Sequence, residues 1–129
     1  MGYVIDSNAV IDYLGGLMPE SGMLFMNGVV NDTPIISIIT VIEVLGFDNS
    51  TEIELLLNQF IEDSVVIPLN DDIVKVTIGI RKKNRIKTPD AIIAATAIML
   101  NYPLVTRNAS DFKKLEGLQT VNPYLEAGR

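Results

Sequence analysis

The stretch from Thr88 to Phe112 leaves this chain few folds to choose from. It opens Thr-Pro-Asp-Ala, and from Ile92 to Leu100 it is apolar on almost every side, the pattern of a helix enclosed within a domain. A bilayer-spanning helix needs about 20 such residues, so membrane insertion is not expected. Thr88 suits an N-cap and Pro89 the first helical position, which places Asp90 in a first turn. After the turn at Asn101 and Pro103, Leu104-Val105-Thr106 reads as a short buried strand. In an open α/β sheet, groups just beyond a strand's carboxyl end line the ligand crevice. Arg107, Asn108 and Asp111 fall there.

The remaining chain alternates in the same manner. Tyr3-Val4-Ile5 predicts a strand ending at Asp6, with Ser7-Asn8 capping a helix from near Ala9 to Leu14. A second helix is expected over residues 21–31, then the strand Ile35-Ile36-Ser37. From Thr40, the positions of Val41, Val44 and Leu45 predict a helix carrying Glu43 in its second turn. Ile53, Leu56, Leu57, Phe60 and Ile61 keep helical spacing behind Asn49-Ser50-Thr51, and Val65-Val66-Ile67 forms a β-branched strand closed by Pro68. Asn70-Asp71 caps a further helix with Ile73, Val76 and Ile80 inward. Residues 119–121 are the last strand candidate, and Tyr124 to Arg129 reads as a tail. Strands alternating with helices predict an α/β fold, one domain over residues 1–129, with a mostly parallel sheet and helices on both faces.

The chain of 129 residues has neither cysteine nor histidine, so disulfides, thiolate sites and Ser–His or Cys–His mechanisms are excluded. With no basic-then-apolar leader, a soluble cytoplasmic protein is expected. A net charge of −6 opposes nucleic-acid binding through overall electrostatics.

Four acids fall at element ends beside polar neighbours: Asp6, Glu43, Asp90 and Asp111. Each has a structural account of its own, as a cap, a dipole partner, a solvated helical residue or part of a short surface helix. Together they describe a hard-oxygen site suited to Mg²⁺ or Mn²⁺.

Four blocks then make a pattern: Val4-Ile5-Asp6-Ser7-Asn8, the run Ser37 to Val44 containing Thr40 and Glu43, Thr88-Pro89-Asp90-Ala91-Ile92-Ile93-Ala94, and Thr106-Arg107-Asn108-Ala109-Ser110-Asp111-Phe112. In order and spacing they resemble a PIN domain, most closely the small VapC-type toxins of prokaryotic toxin–antitoxin pairs. The resemblance implies a divalent-metal endoribonuclease with Asp6, Glu43, Asp90 and Asp111 as its acidic residues. Asp6 and Asp90 correspond to the principal metal ligands and Asp111 to a ligand of a second, weaker ion. Glu43 corresponds to a ligand or an orienter of the attacking water, while Asn8, Thr40 and Thr106 match supporting polar positions. It also implies one or two Mg²⁺ or Mn²⁺ ions, an RNA substrate, a homodimer and a protein antitoxin.

Local basicity offsets the acidic total. Five of the ten basic residues, Arg81, Lys82, Lys83, Arg85 and Lys87, precede Asp90, and Arg107 precedes Asp111. These are candidate RNA contacts, or a solvated helix end complementing its dipole. A noncatalytic PIN-like RNA-binding or protein-interaction module is the alternative reading. A phosphoacceptor receiver domain fits less well because Val105-Thr106 leads to arginine rather than lysine, and a haloacid-dehalogenase-type phosphatase because Asn8 stands where a second aspartate belongs.

Overall fold

A computed structural model describes residues 2–125. The elements run β1 (Val4–Ile5), α1 (Ser7–Leu14), α2 (Glu20–Asp32), β2 (Ile35–Ser37), α3 (Ile38–Leu45), α4 (Thr51–Glu62), β3 (Val65–Ile67), α5 (Asp71–Lys83), α6 (Thr88–Leu100), β4 (Leu104–Val105), α7 (Ala109–Phe112) and β5 (Thr120–Val121). The five strands lie in the order β3-β2-β1-β4-β5. Every pairing is parallel, with Val4 opposite both Ile35 and Leu104, and Ile5 opposite Val105.

Alternate residues of a strand point to opposite faces, and two-residue strands are enough to divide the core. Val4 and Leu104 enter one apolar cluster with Ile73 and Ile80 of α5 and the buried face of α6. Ile5, Ile36 and Val105 enter the other, with Ala9, Val10, Met26, Val29, Val44, Leu57 and Phe60. Thus α1 to α4 cover one face, and α5 to α7 the other. Helix α6 is buried continuously from Ala91 to Ala97, as its all-round apolar sequence requires. The hydroxyl of Thr96 is satisfied within the helix by donating to the Ile92 carbonyl at 2.8 Å.

Several boundaries differ from the sequence expectation. Helix α1 starts at Ser7, because the Asp6 carboxylate accepts the Ser7 N–H and caps the helix itself. Helix α3 starts at Ile38, two residues before Thr40, because Ser37 Oγ accepts the Ile39 N–H. At α6 the cap residue is Lys87, without a side-chain cap bond, so Thr88 already lies in the first turn. Thr106 lies just past β4, and β5 begins at Thr120. Tyr124 is no tail residue, since it is half-buried and hydrogen-bonded to Asp12; residues 126–129 lie outside the described part.

The sheet order reverses between β1 and β4. From β1 the chain builds outward to β2 and β3, then returns to the other side of β1 for β4 and β5. The carboxyl ends of β1 and β4 therefore diverge into a crevice.

Candidate active site

Asp6 stands at that crevice, 4 % exposed. Its Oδ1 accepts the Ser7 N–H at 2.8 Å, and its Oδ2 accepts the Thr106 hydroxyl at 2.7 Å. The Asn8 amide reaches the same Oδ2 at 3.4 Å. Thr106 is fully buried, and its Oγ1 also accepts the Asn108 N–H at 3.0 Å, so its hydroxyl hydrogen is directed to Asp6. The ends of β1 and β4 are thereby locked together through one carboxylate.

Glu43 arrives from α3. The Ser7 hydroxyl donates to its Oε1 at 2.6 Å and lies 3.2 Å from Thr40 Oγ1, which is buried beneath. Asp90 comes from the opposite face, in the first turn of α6. Asp6, Glu43 and Asp90 line one cleft of about 570 Å³, together with Asn8, Asp12 and Arg107. Ile11, Ile42 and Phe47 supply an apolar wall, of which Ile42 and Phe47 are more than 60 % exposed.

Burial holds the Asp6 carboxyl above its ordinary value, against the hydrogen bonds from Thr106 and Ser7 that lower it, and Asp90 and Glu43 raise it further. Asp90 is raised too, first by burial and next by Glu43; Lys87 pulls it down and Asp111 up. The cleft thus holds mutually repelling carboxylates in a site that favours an added cation.

The fourth acid stands apart. Asp111, on α7, is exposed and lines an adjoining groove of about 370 Å³ with Arg85, Lys87, Asn108 and Lys114. Asp90 borders both cavities. Of the basic candidates, Arg107 is in the acid cleft, and Arg85 and Lys87 are in the adjoining groove. Arg81, Lys82 and Lys83 border neither, and form a separate groove with Arg85. Among the described residues, no three acidic side chains gather tightly enough to make a ready-formed metal cage. The donors are all oxygen, which fits Mg²⁺, an ion held by one or two carboxylates that keeps several waters.

Sequence reading did not find Ser7, Asp12 or Tyr124. For Asp12 a signal existed: Asn8, Ile11 and Asp12 are spaced i, i+3, i+4 on α1 and share a face. By residue type and position Ser7 signals only a cap. No local pattern links Tyr124 to Asp12, 112 residues away.

A doubly wound parallel domain with carboxylates meeting at its switch point defines the class: an α/β protein with an acidic site. The chain belongs to the PIN domain family, whose model matches residues 3–118. Among solved structures it is similar to a chain of a toxin–antitoxin complex from Klebsiella pneumoniae, at 27 % identity and TM-score 0.75, covering 95 % of this chain and 98 % of that one. VapBC2 from Rickettsia felis bound to a DNA fragment from their promoter gives 23 % identity and TM-score 0.79 over 95 % and 98 % of the two chains. DNA-bound VapBC from Salmonella typhimurium gives 21 % and 0.77 over the same shares. No curated protein matches significantly. Among the described residues, no helix is long and apolar enough to cross a membrane.

Proposed function

We propose that this protein is a divalent-metal-dependent endoribonuclease that hydrolyses RNA phosphodiester bonds and acts as the toxin of a toxin–antitoxin pair in the cytoplasm. The observation that carries the reading is the convergence of Asp6, Glu43 and Asp90 on one cleft at the β1/β4 switch point. Asp6 and Asp90 would hold Mg²⁺ or Mn²⁺, and Asp111, which shares the adjoining groove with Asp90, would serve a second, weaker ion. When bound, the metal supplies an activated water and neutralises charge on the phosphate.

The chain's own residues do the positioning. Thr106 and the Ser7 N–H fix the two oxygens of Asp6, leaving it oriented before any ion arrives. Ser7 holds Glu43 at 2.6 Å, in place to accept a proton from, or to orient, the attacking water. Asn8 ties α1 to the end of β4 by accepting the Arg107 N–H at 3.2 Å. The similar chains belong to toxin–antitoxin complexes, which supports a protein antitoxin as partner; the RNA substrate and a second copy of the chain are the further partners of this reading.

The test is incubation of the purified, antitoxin-free protein with a mixed cellular RNA pool in Mg²⁺, Mn²⁺ or EDTA, beside Asp6→Asn prepared identically. Cuts that require both metal and Asp6 are expected, and mapping their ends identifies the substrate. A folded wild-type protein that binds RNA but never cuts it is instead a noncatalytic PIN-like module.

A further inference from the structure

Three features of the fold decide where the Arg107 guanidinium stands. The first is Gly22 on α2: a Cβ there would lie 1.8 Å from the Pro123 carbonyl oxygen, so the segment after β5 rests directly on the helix backbone. The second is the turn that follows, in which Asn122 Oδ1 accepts the Tyr124 N–H at 2.9 Å. It brings the Tyr124 phenol to α1, where the hydroxyl donates to Asp12 Oδ2. The third is Asp12 itself, whose same oxygen accepts from Arg107 Nη1 at 3.0 Å. The guanidinium carbon stands 5.9 Å from the Tyr124 ring centroid, within reach of a cation–π contact.

This arrangement differs from an ordinary surface ion pair. The Asp12 side chain is 11 % exposed while that of Arg107 is 54 % exposed, so the anion is sequestered and the cation is presented. A guanidinium has five N–H donors. Among the described residues, its one side-chain bond is the Nη1 contact, and the others remain for a ligand in the cleft shared with Asp6 and Asp90. Burial, then the Asp12 carboxylate, hold the Tyr124 phenol above its ordinary value, so it stays a donor across the physiological range.

We propose that Asp12 and Tyr124 are positioning residues that hold Arg107 as a phosphate clamp in the acid cleft, gripping the RNA backbone where a carboxylate-lined site would otherwise repel it. The proposal rests on the nuclease reading above for the chemistry that follows the grip. A guanidinium fork fits two phosphate oxygens at once, which a lysine ammonium does not.

The experiment compares wild type with Arg107→Ala, Arg107→Lys, Asp12→Asn, Tyr124→Phe and the double variant Tyr124→Phe/Arg107→Ala. Steady-state kcat and KM are measured on a short RNA carrying a mapped cleavage site, with folded fractions matched. RNA affinity across a salt series is measured separately in an Asp90→Asn background. Arg107→Ala is expected to lower kcat/KM about 100-fold, with Arg107→Lys recovering little of it. Tyr124→Phe keeps the ring and removes only the hydroxyl, and is expected to lower kcat about tenfold. The double variant should then be no worse than Arg107→Ala alone, because both losses act through one clamp. Wild-type kinetics in Tyr124→Phe, or losses that add in full, overturn the proposal while leaving the nuclease reading standing. Tyr124→Phe remains decisive where Asp12→Asn fails to fold. Should wild type cut no RNA, the nuclease reading falls and affinity decides. Weakening by both Arg107→Ala and Tyr124→Phe, the first the larger, then upholds the clamp, and unchanged affinity in either refutes it.

Discussion

Replacing Asp90 with Asn should stabilise the metal-free protein and reverse that order once metal is added. The Asp90 carboxylate is half-buried at the start of α6 and has no hydrogen-bond donor among the described residues. Opposing influences meet there. Lys87 favours the negative charge, as does a helix N-terminus by about 0.3–1 kcal/mol, whereas burial, Glu43 and Asp111 disfavour it. On balance the Asp90 carboxyl is held above its ordinary value, by burial first and Glu43 next, against the pull of Lys87. Charge interactions at a partly exposed, screened site are worth at most about 1 kcal/mol, so the penalty that the neutral variant relieves is bounded there, at a few °C in Tm for a domain of this size.

The pH dependence follows from the sign of the shift. A folded pKa above the unfolded one means that the folded state binds protons more tightly, so the penalty is complete at neutral pH. It disappears as pH falls through the folded value towards the ordinary aspartate value of about 4. The advantage of Asp90→Asn should therefore close in mild acid. With Mg²⁺ at ten times its dissociation constant, wild type gains about 1.4 kcal/mol, more than the penalty, and the variant gains little. Thermal unfolding by circular dichroism at pH 7 and near pH 4, in EDTA and in Mg²⁺, reads all of these outcomes. A variant less stable than wild type in EDTA at pH 7, or an equal Mg²⁺-induced rise in both proteins, would refute the reasoning.

Thr106→Val removes the buried donor to Asp6 Oδ2 and should cost about 1–3 kcal/mol in denaturant unfolding, while cleavage needs a higher pH because Asp6 loses a bond that lowers its pKa. An unshifted pH–rate profile would show that Thr106 is only structural. Asn101 closes α6 at φ 56°. Asn101→Gly should leave Tm unchanged or raised and Asn101→Ala should lower stability by about 1 kcal/mol, and equal effects of the two would remove backbone strain as the cause. Neutralising Arg81, Lys82 and Lys83 together should weaken RNA binding and reduce the salt slope by up to about 2, if each meets one phosphate of a single strand. An unchanged slope takes their groove out of the RNA path.

Local physics explains what the sequence alone determined. The all-round apolar run of α6, the i, i+3, i+4 stripes of α4 and α5, and the β-branched stretch 65–67 are short-range patterns, and each matches an element of the structure. Alternation of strands and helices was enough to anticipate a parallel sheet covered on both faces. The caps of α4 and α5, Ser50 and Asn70, fall within the stretches that signal them, whereas those of α1 and α6 stand one residue earlier than residue type suggests. Asp6 directly follows β1 and Ser37 is the last residue of β2, and each caps the next helix at once, a double duty that spacing does not display.

Tertiary structure decided what depends on strand order and on contacts between distant segments. It brought Asp6, Glu43 and Asp90 into one cleft, because β1 sits between β2 and β4 and the crevice opens where the order reverses. It set Asp111 across Asp90 in the neighbouring groove, because the short helix α7 carries it away from the ends of β1 and β4. It turned the apparent tail at Tyr124 into a support for Arg107, through a close approach to Gly22 that only the folded chain reveals. Periodicity and capping act over a few residues and are written locally. Which carboxylates share a cleft depends on how the whole sheet closes, and no local stretch of the chain records that.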